Sequence, residues 1–275
     1  MSGTLSSLKR ALRTARKESK RSTVAHRAER LDTEDYATQP NVTSVGFICG
    51  LHRSGTTLLE RLLVQRFEVS YLRSSVPESE GQHMQTVFSA ANKFGGPGGF
   101  AFRKDMLDEL EAQTDYARYN EQILNEWSRF IVGDSPTLLE KSPPHLTKLW
   151  WLRKVFPGSK FIIVTRDPRA VSAATRKWAE TSLAELMMHW NAAYSKAAQD
   201  FDESDCIIAR YEDLMERPAQ ELDRLGAFLS LKHRSDAIGV DARFAELTNS
   251  NGKYITAHEG TVYGHGIWNK FGYDV

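Results

Sequence analysis

The segment Gly50-Leu51-His52-Arg53-Ser54-Gly55-Thr56-Thr57 constrains the fold of this chain more than any other stretch. It lies between a β-branched and apolar run, Val42 to Cys49 (VTSVGFIC), and a stretch with Leu58, Leu59, Leu62 and Leu63 at helical spacing. In a strand, glycine loop, helix layout, backbone N–H groups and the helix dipole converge on an anion. The octapeptide matches GxxxxGK[ST] except that Thr56 stands where the lysine belongs. Backbone phosphate binding survives that change, whereas the reach of a lysine across β- and γ-phosphates does not. No apolar run ends in the aspartate that would supply a second Mg²⁺ contact. A small P-loop kinase is therefore the weaker enzymatic reading, and an ordinary strand-to-helix turn is the structural alternative.

Further units repeat the layout. Val69 to Leu72 reads as a second strand, residues 95–99 (GGPGG) as a flexible loop, and residues 104–131 as one or two helices. Thr137–Lys141 followed by Leu146, Leu149, Trp150 and Leu152 is another strand and helix. Lys160–Thr165 (KFIIVT) leads to Thr165-Arg166-Asp167, with Pro168 at the favoured first position of a helix. Ser182 and Glu185 form a capping box, Asp205–Tyr211 (DCIIARY) is a buried strand, and Pro218 precedes a helix with Leu222, Leu225, Phe228 and Leu229 on one side. Continuous apolar strands alternating with helices predict an α/β fold, a P-loop-like parallel sheet with helices on both faces. Ligands then belong at the carboxyl ends of the strands. The basic Arg166 at one such end predicts a second anion near the first.

The chain has 275 residues, 41% hydrophobic and 26% charged, which is enough for one core. The expected organisation is a leader and linker over 1–41 and a single domain over 42–275. No apolar run approaches the ~18 to 20 residues of a membrane span, and no secretory signal is visible, so the expected compartment is the cytoplasm. Cys49 and Cys206 lie inside apolar strand-like runs, leaving no disulfide framework or cysteine metal site. The net charge of +1 hides an asymmetry. Residues 1–30 hold nine Lys/Arg against Glu18 and Glu29 and carry +7, while the remainder, with 27 basic and 33 acidic residues, carries −6. Leu5, Leu8, Ala11, Leu12 and Ala15 recur at helical spacing within that basic segment. A membrane-surface contact, a protein contact, an organelle transit peptide and a solvated leader helix all fit it. No extended basic face for nucleic acid is present.

The order RSGTTLL, EKSP, KFIIVTRDPRAV, RYEDL and a helix ending in FL resembles the sulfotransferases that use 3′-phosphoadenosine 5′-phosphosulfate. The likeness spans roughly residues 42 to 230 and is nearest to the branch with an RSGTT loop, which includes tyrosylprotein and many bacterial sulfotransferases. It implies a metal-free transfer of a sulfuryl group from that nucleotide to a hydroxyl or amine of a small-molecule or carbohydrate acceptor. Arg53, Ser54, Gly55, Thr56 and Thr57 would cradle the 5′-phosphosulfate, with Arg53 at the bridging oxygen. Arg166 would bind the 3′-phosphate, its alternative being a local salt bridge. The family's serine eight residues further on is Ala174 here, so Thr175 or Ser172 would replace it. Tyr211 resembles the residue at the adenine end, its alternative being a core tyrosine, and Lys253 falls in the C-terminal loop that closes over the nucleotide.

Transfer needs a base for the acceptor's proton. The PESEGQH stretch offers Glu80 first, then Glu78, then His83, with a polar surface turn as the alternative, and the resemblance implies a glutamate from this region. If that segment is extended, Glu78 and Glu80 share a face. Lys141 of EKSP resembles a transfer-site lysine, its alternative being a surface lysine at a strand end. A non-catalytic nucleotide-binding protein is the reading outside enzymology.

Overall fold

The computed structural model describes residues 41–235 and 247–275. The basic leader and most of the linker expected at its end lie outside the described residues. The strands of the main sheet are β1 (Ser44–Gly50), β2 (Ser70–Leu72), β3 (Ile131–Val132), β4 (Thr137–Lys141), β5 (Lys160–Thr165) and β6 (Cys206–Arg210). They form one sheet in the order β3-β2-β4-β1-β5-β6. β1 pairs in parallel with both β4 and β5, and β5 pairs in parallel with β6. The expected parallel sheet is present, with the two-residue β3 running antiparallel to β2 at its edge. A short edge strand needs pairing on one side only, so reversing it costs the core nothing.

Strand alternation explains why the parallel strands read as continuous apolar runs. Val45, Phe47 and Cys49 of β1 face one core with Phe161 and Ile163 of β5, while Ile48 faces the other with Leu139, Ile162 and Val164. On the second face pack α1 (Thr56–Arg66), through Leu59, Leu62 and Leu63, and α8 (Pro218–Phe228), through Leu222 and Leu225. The first face is covered by aromatic weight: Trp127 of α3 (Tyr116–Ser128), Trp151 of α4 (Leu149–Val155), and Trp190 and Tyr194 of α6 (Leu183–Asp200) are all shut from solvent. Residues 104–131 resolve into α2 (Lys104–Glu111) and α3, separated by a turn. The glycine-rich stretch 95–99 is bracketed by one-turn helices that bury Phe94 and Phe100, so it is anchored at both ends.

β5 passes into α5 (Pro168–Thr175) and β6 into α7 (Tyr211–Glu216), while α9 (Gly252–Ile255) belongs to the C-terminal segment. Pro168 sits at the first position of α5, where its missing N–H is harmless. Ser182 and Glu185 form both halves of the capping box of α6. Cys49 and Cys206 are buried free thiols. Among the described residues no helix is long and apolar enough to cross a membrane.

Candidate active site

Every residue singled out from the strand ends lies at the carboxyl edge of β1, β4, β5 or β6. β1 hands over to the glycine loop at Gly50, and α1 begins at Thr56. Arg53 and Gly55 have φ of 72° and 105°, so the chain doubles back in the left-handed region. Gly55 is required twice over, because a Cβ there would also stand 3.0 Å from the Tyr211 ring. Ser54 is buried, and its hydroxyl closes the turn onto the Leu51 carbonyl at 2.7 Å. No side chain caps the N-terminus of α1 and no acid lies in its first turn. Its leading N–H groups are therefore free to meet an anion. Thr56 is buried and Thr57 half-buried at that end.

Arg53 lies over the Trp178 ring at 5.1 Å, and its Nε is buried without a partner. The Arg53 guanidinium beside it holds the Tyr254 phenol below its usual value. An unpaired, desolvated guanidinium N–H next to an open helix N-terminus is matched to an anionic ligand.

Arg166, at the end of β5, is 5% exposed. Its Nε donates to Asn251 Oδ1 at 2.7 Å, Nη1 to the Arg53 carbonyl at 2.9 Å and Nη2 to Ser250 Oγ at 3.0 Å. The guanidinium lies 4.1 Å above the Tyr211 ring centroid. Tyr211 is thus a buried ring between Gly55 and Arg166, with its hydroxyl donating to the Thr248 carbonyl at 3.2 Å. Asn251 is itself held by Glu212, whose Oε1 accepts from Asn251 Nδ2 at 2.7 Å and from the Asp167 N–H at 3.0 Å. The C-terminal segment therefore reaches Arg166 through Ser250 and Asn251, which take up its Nε and Nη2, while Lys253 itself is exposed. On α5, Ala174 is buried, Thr175 donates at 3.5 Å to the His52 carbonyl, and the buried Ser172 hydroxyl has no partner.

The PESEGQH stretch is not extended. Glu78 and Ser79 have φ of 51° and 52°, which turns the chain so that Glu78 is exposed and Glu80 is 5% exposed. Their expected common face is lost with the extended backbone it required. Lys141, at the end of β4, is no surface lysine. Its side chain is fully buried, Nζ donates to the Glu78 carbonyl at 2.8 Å, and it stands 3.6 Å from Glu80 Oε1. Glu80 Oε2 accepts from Gln82 Nε2 at 2.6 Å, and His83 Nε2 is 3.9 Å away. Burial pushes the Glu80 carboxyl up from its ordinary value, against the pull of Lys141 and the Gln82 hydrogen bond. Burial, then Lys141, lowers His83 from its ordinary value.

Several residues at this edge carry no motif. Glu60 of α1 is 1% exposed, and burial raises its carboxyl to about 7, opposed first by Lys141. Its helical spacing with Thr56 and Leu63 on the buried stripe was the signal that could have found it. Burial lowers His52, inside the glycine loop, to about 4, and Lys141 and His83 push the same way, so the loop and the Glu80–Lys141 pair share one electrostatic neighbourhood. Nothing local marks Gln82, Asn251, Trp178 or Tyr254.

An uncapped helix behind a glycine loop, the unpartnered Arg53 Nε beside it and a buried acid–lysine pair gather a candidate site at the carboxyl edge of an α/β sheet. The family model described as Sulfotransferase family matches residues 47–235, and the chain belongs to that family. Protein-tyrosine sulfotransferase A of Caenorhabditis elegans is 25% identical over 232 residues, covering 76% of this chain and 57% of that protein. Protein-tyrosine sulfotransferase 2 of Gallus gallus is 26% identical over 215 residues, covering 70% and 54%. The chain thus spans little more than half the length of these curated relatives. Among solved structures, the sulfotransferase domain of the Synechococcus PCC 7002 olefin synthase superposes with a TM-score of 0.53 at 17% identity, covering 89% of this chain and 100% of that one. The sulfotransferase domain of the curacin biosynthetic pathway gives 0.50 at 17% identity, covering 86% and 99%. At that identity the structural likeness speaks for the fold alone.

Proposed function

We propose that this chain is a sulfotransferase that moves a sulfuryl group from 3′-phosphoadenosine 5′-phosphosulfate to a hydroxyl or amine acceptor. The observation that carries the reading is the buried Glu80 carboxyl 3.6 Å from Lys141, at the same strand edge as the glycine loop. The residues present fit the nucleotide: the orphaned Arg53 Nε and the uncapped N-terminus of α1 suit the 5′-phosphosulfate, and Arg166 suits the 3′-phosphate. Bound, the nucleotide supplies the sulfuryl group and a good leaving phosphate.

Glu80 takes the acceptor's proton as its oxygen or nitrogen attacks sulfur. The S–O bond to the phosphate breaks, its electron pair stays on the phosphate oxygen, and Arg53 with the loop N–H groups meets the charge that develops there. Lys141 sets the position of the Glu80 loop through the Glu78 carbonyl and counters charge at the transferring group. Relatives named protein-tyrosine sulfotransferases make a tyrosyl hydroxyl one acceptor class, beside small molecules and carbohydrates. An acceptor screen with isotopically labelled donor, read by mass spectrometry for an added sulfuryl group, tests the activity. Binding of product nucleotide without transfer to any acceptor overturns it.

A further inference from the structure

The turn that carries Glu80 is pinned by groups from three separate parts of the chain. The Gly81 N–H donates to Glu140 Oε1 at 2.9 Å, and Trp127 Nε1 donates to the Gly81 carbonyl at 3.0 Å. A Cβ on Gly81 would meet Glu140 Oε1 at 2.6 Å, so the approach leaves no room for a side chain. The Gln82 N–H donates to Ser142 Oγ at 3.1 Å, and that hydroxyl donates to Glu140 Oε1 at 2.5 Å. Glu140 and Lys141 are neighbours on β4 whose side chains leave opposite faces, and each grips the same turn.

Gln82 is 3% exposed. The Ala91 N–H donates to its Oε1 at 3.0 Å. A backbone N–H can only donate, so this contact assigns the amide oxygen and leaves Nε2 turned to Glu80 Oε2 at 2.6 Å.

We propose that Gln82 is the positioning residue for Glu80: with its backbone N–H seated on Ser142, its side-chain amide, locked by Ala91, occupies Oε2 and leaves Oε1, on the Lys141 side, to receive the acceptor's proton. The inference rests on Glu80 being the base. The proton moves from the acceptor to Oε1 as the acceptor–sulfur bond forms, and Glu80 later returns it to solvent.

A donor to a carboxylate favours its ionised form. The groups facing Glu80 are Lys141 and Gln82, which favour ionisation, Glu140, which opposes it together with burial, and His83 at 3.9 Å. Gln82 is thus one of two side chains that keep a buried carboxyl able to accept a proton.

The test uses the full chain with 3′-phosphoadenosine 5′-phosphate bound and ¹³C-carboxyl-labelled glutamate, the Glu80 resonance being identified by its loss in Glu80→Gln. In Gln82→Met the Glu80 titration midpoint should rise by about one pH unit. With a tyrosine-containing acidic peptide as acceptor, kcat should fall about 10- to 100-fold, donor KM should hold, and the acid limb of the pH–rate profile should rise in step. If Gln82→Met does not fold, Gln82→Asn, which keeps an amide too short to span both partners, is read the same way. An unmoved Glu80 midpoint beside an inactive Glu80→Gln overturns the positioning role alone. Full turnover of the peptide by Glu80→Gln overturns the base assignment and the positioning role with it, even where the NMR midpoint has moved.

Discussion

Glu80 and Lys141 meet 3.6 Å apart with side chains 7% and 0% exposed, and Lys141 also donates to the carbonyl of Glu78. One lysine from a central strand therefore both stabilises the carboxylate and holds the turn that presents it. That arrangement buries the Glu80 side chain beside Lys141 and leaves that of Glu78 exposed.

Glu80→Gln is expected to lower turnover by about 10²- to 10⁴-fold, since the amide keeps the shape and loses the proton acceptor. Glu78→Gln is expected to leave turnover nearly unchanged, because its side chain is exposed and the carbonyl that Lys141 uses is retained. Side-by-side rates with one acceptor check this, and equal losses in both variants would remove the distinction.

Arg166→Ala should erase most of the preference for 3′-phosphoadenosine 5′-phosphate over AMP, with a smaller loss of AMP binding because the donor to the Arg53 carbonyl goes as well. A charge-assisted contact of this kind contributes ~1.5 to 3 kcal/mol, or roughly 10- to 100-fold in affinity. Calorimetry on both nucleotides measures it, and equal affinities in the unaltered protein would take the second anion site out of the reading.

Arg53→Ala should depress turnover more than it weakens binding of the product nucleotide. Charge on the bridging oxygen develops fully only as the S–O bond breaks, so an arginine placed there acts mainly on the transition state. Equal proportional losses in binding and rate would make Arg53 a ground-state anchor.

Glu60 predicts a pH-dependent penalty. Its folded value of about 7 lies above its ordinary 4.5. The protonated carboxyl therefore favours the folded state at low pH, and that contribution is lost as pH rises from about 4.5 through about 7. The loss is on the order of 3 kcal/mol at 1.36 kcal/mol per unit. Relative to the native chain, Glu60→Gln should gain stability progressively across that window and show little difference below it. Chemical denaturation at pH 4.5 and pH 8 reads this, and a pH-independent difference would contradict it.

The sequence by itself determined the frame. Gly50 to Thr57 between an apolar run and a helical period dictates a strand, glycine loop and helix, and KFIIVT followed by Arg166 places a cation at a strand end, because both are settled by local periodicity and chain direction. Tertiary structure decided which glutamate faces the site, that Lys141 is buried, and that Gln82, Asn251 and Glu212 organise what the motifs expose. Glu78 and Glu80 parted only because left-handed residues at 78 and 79 broke the extended geometry. The contacts that hold the site join residues far apart in the chain, 63 positions for Lys141 with Glu78 and 85 for Arg166 with Asn251. Local spacing carries no record of such pairs, since they exist only after the strands have packed and water has left the groups between them.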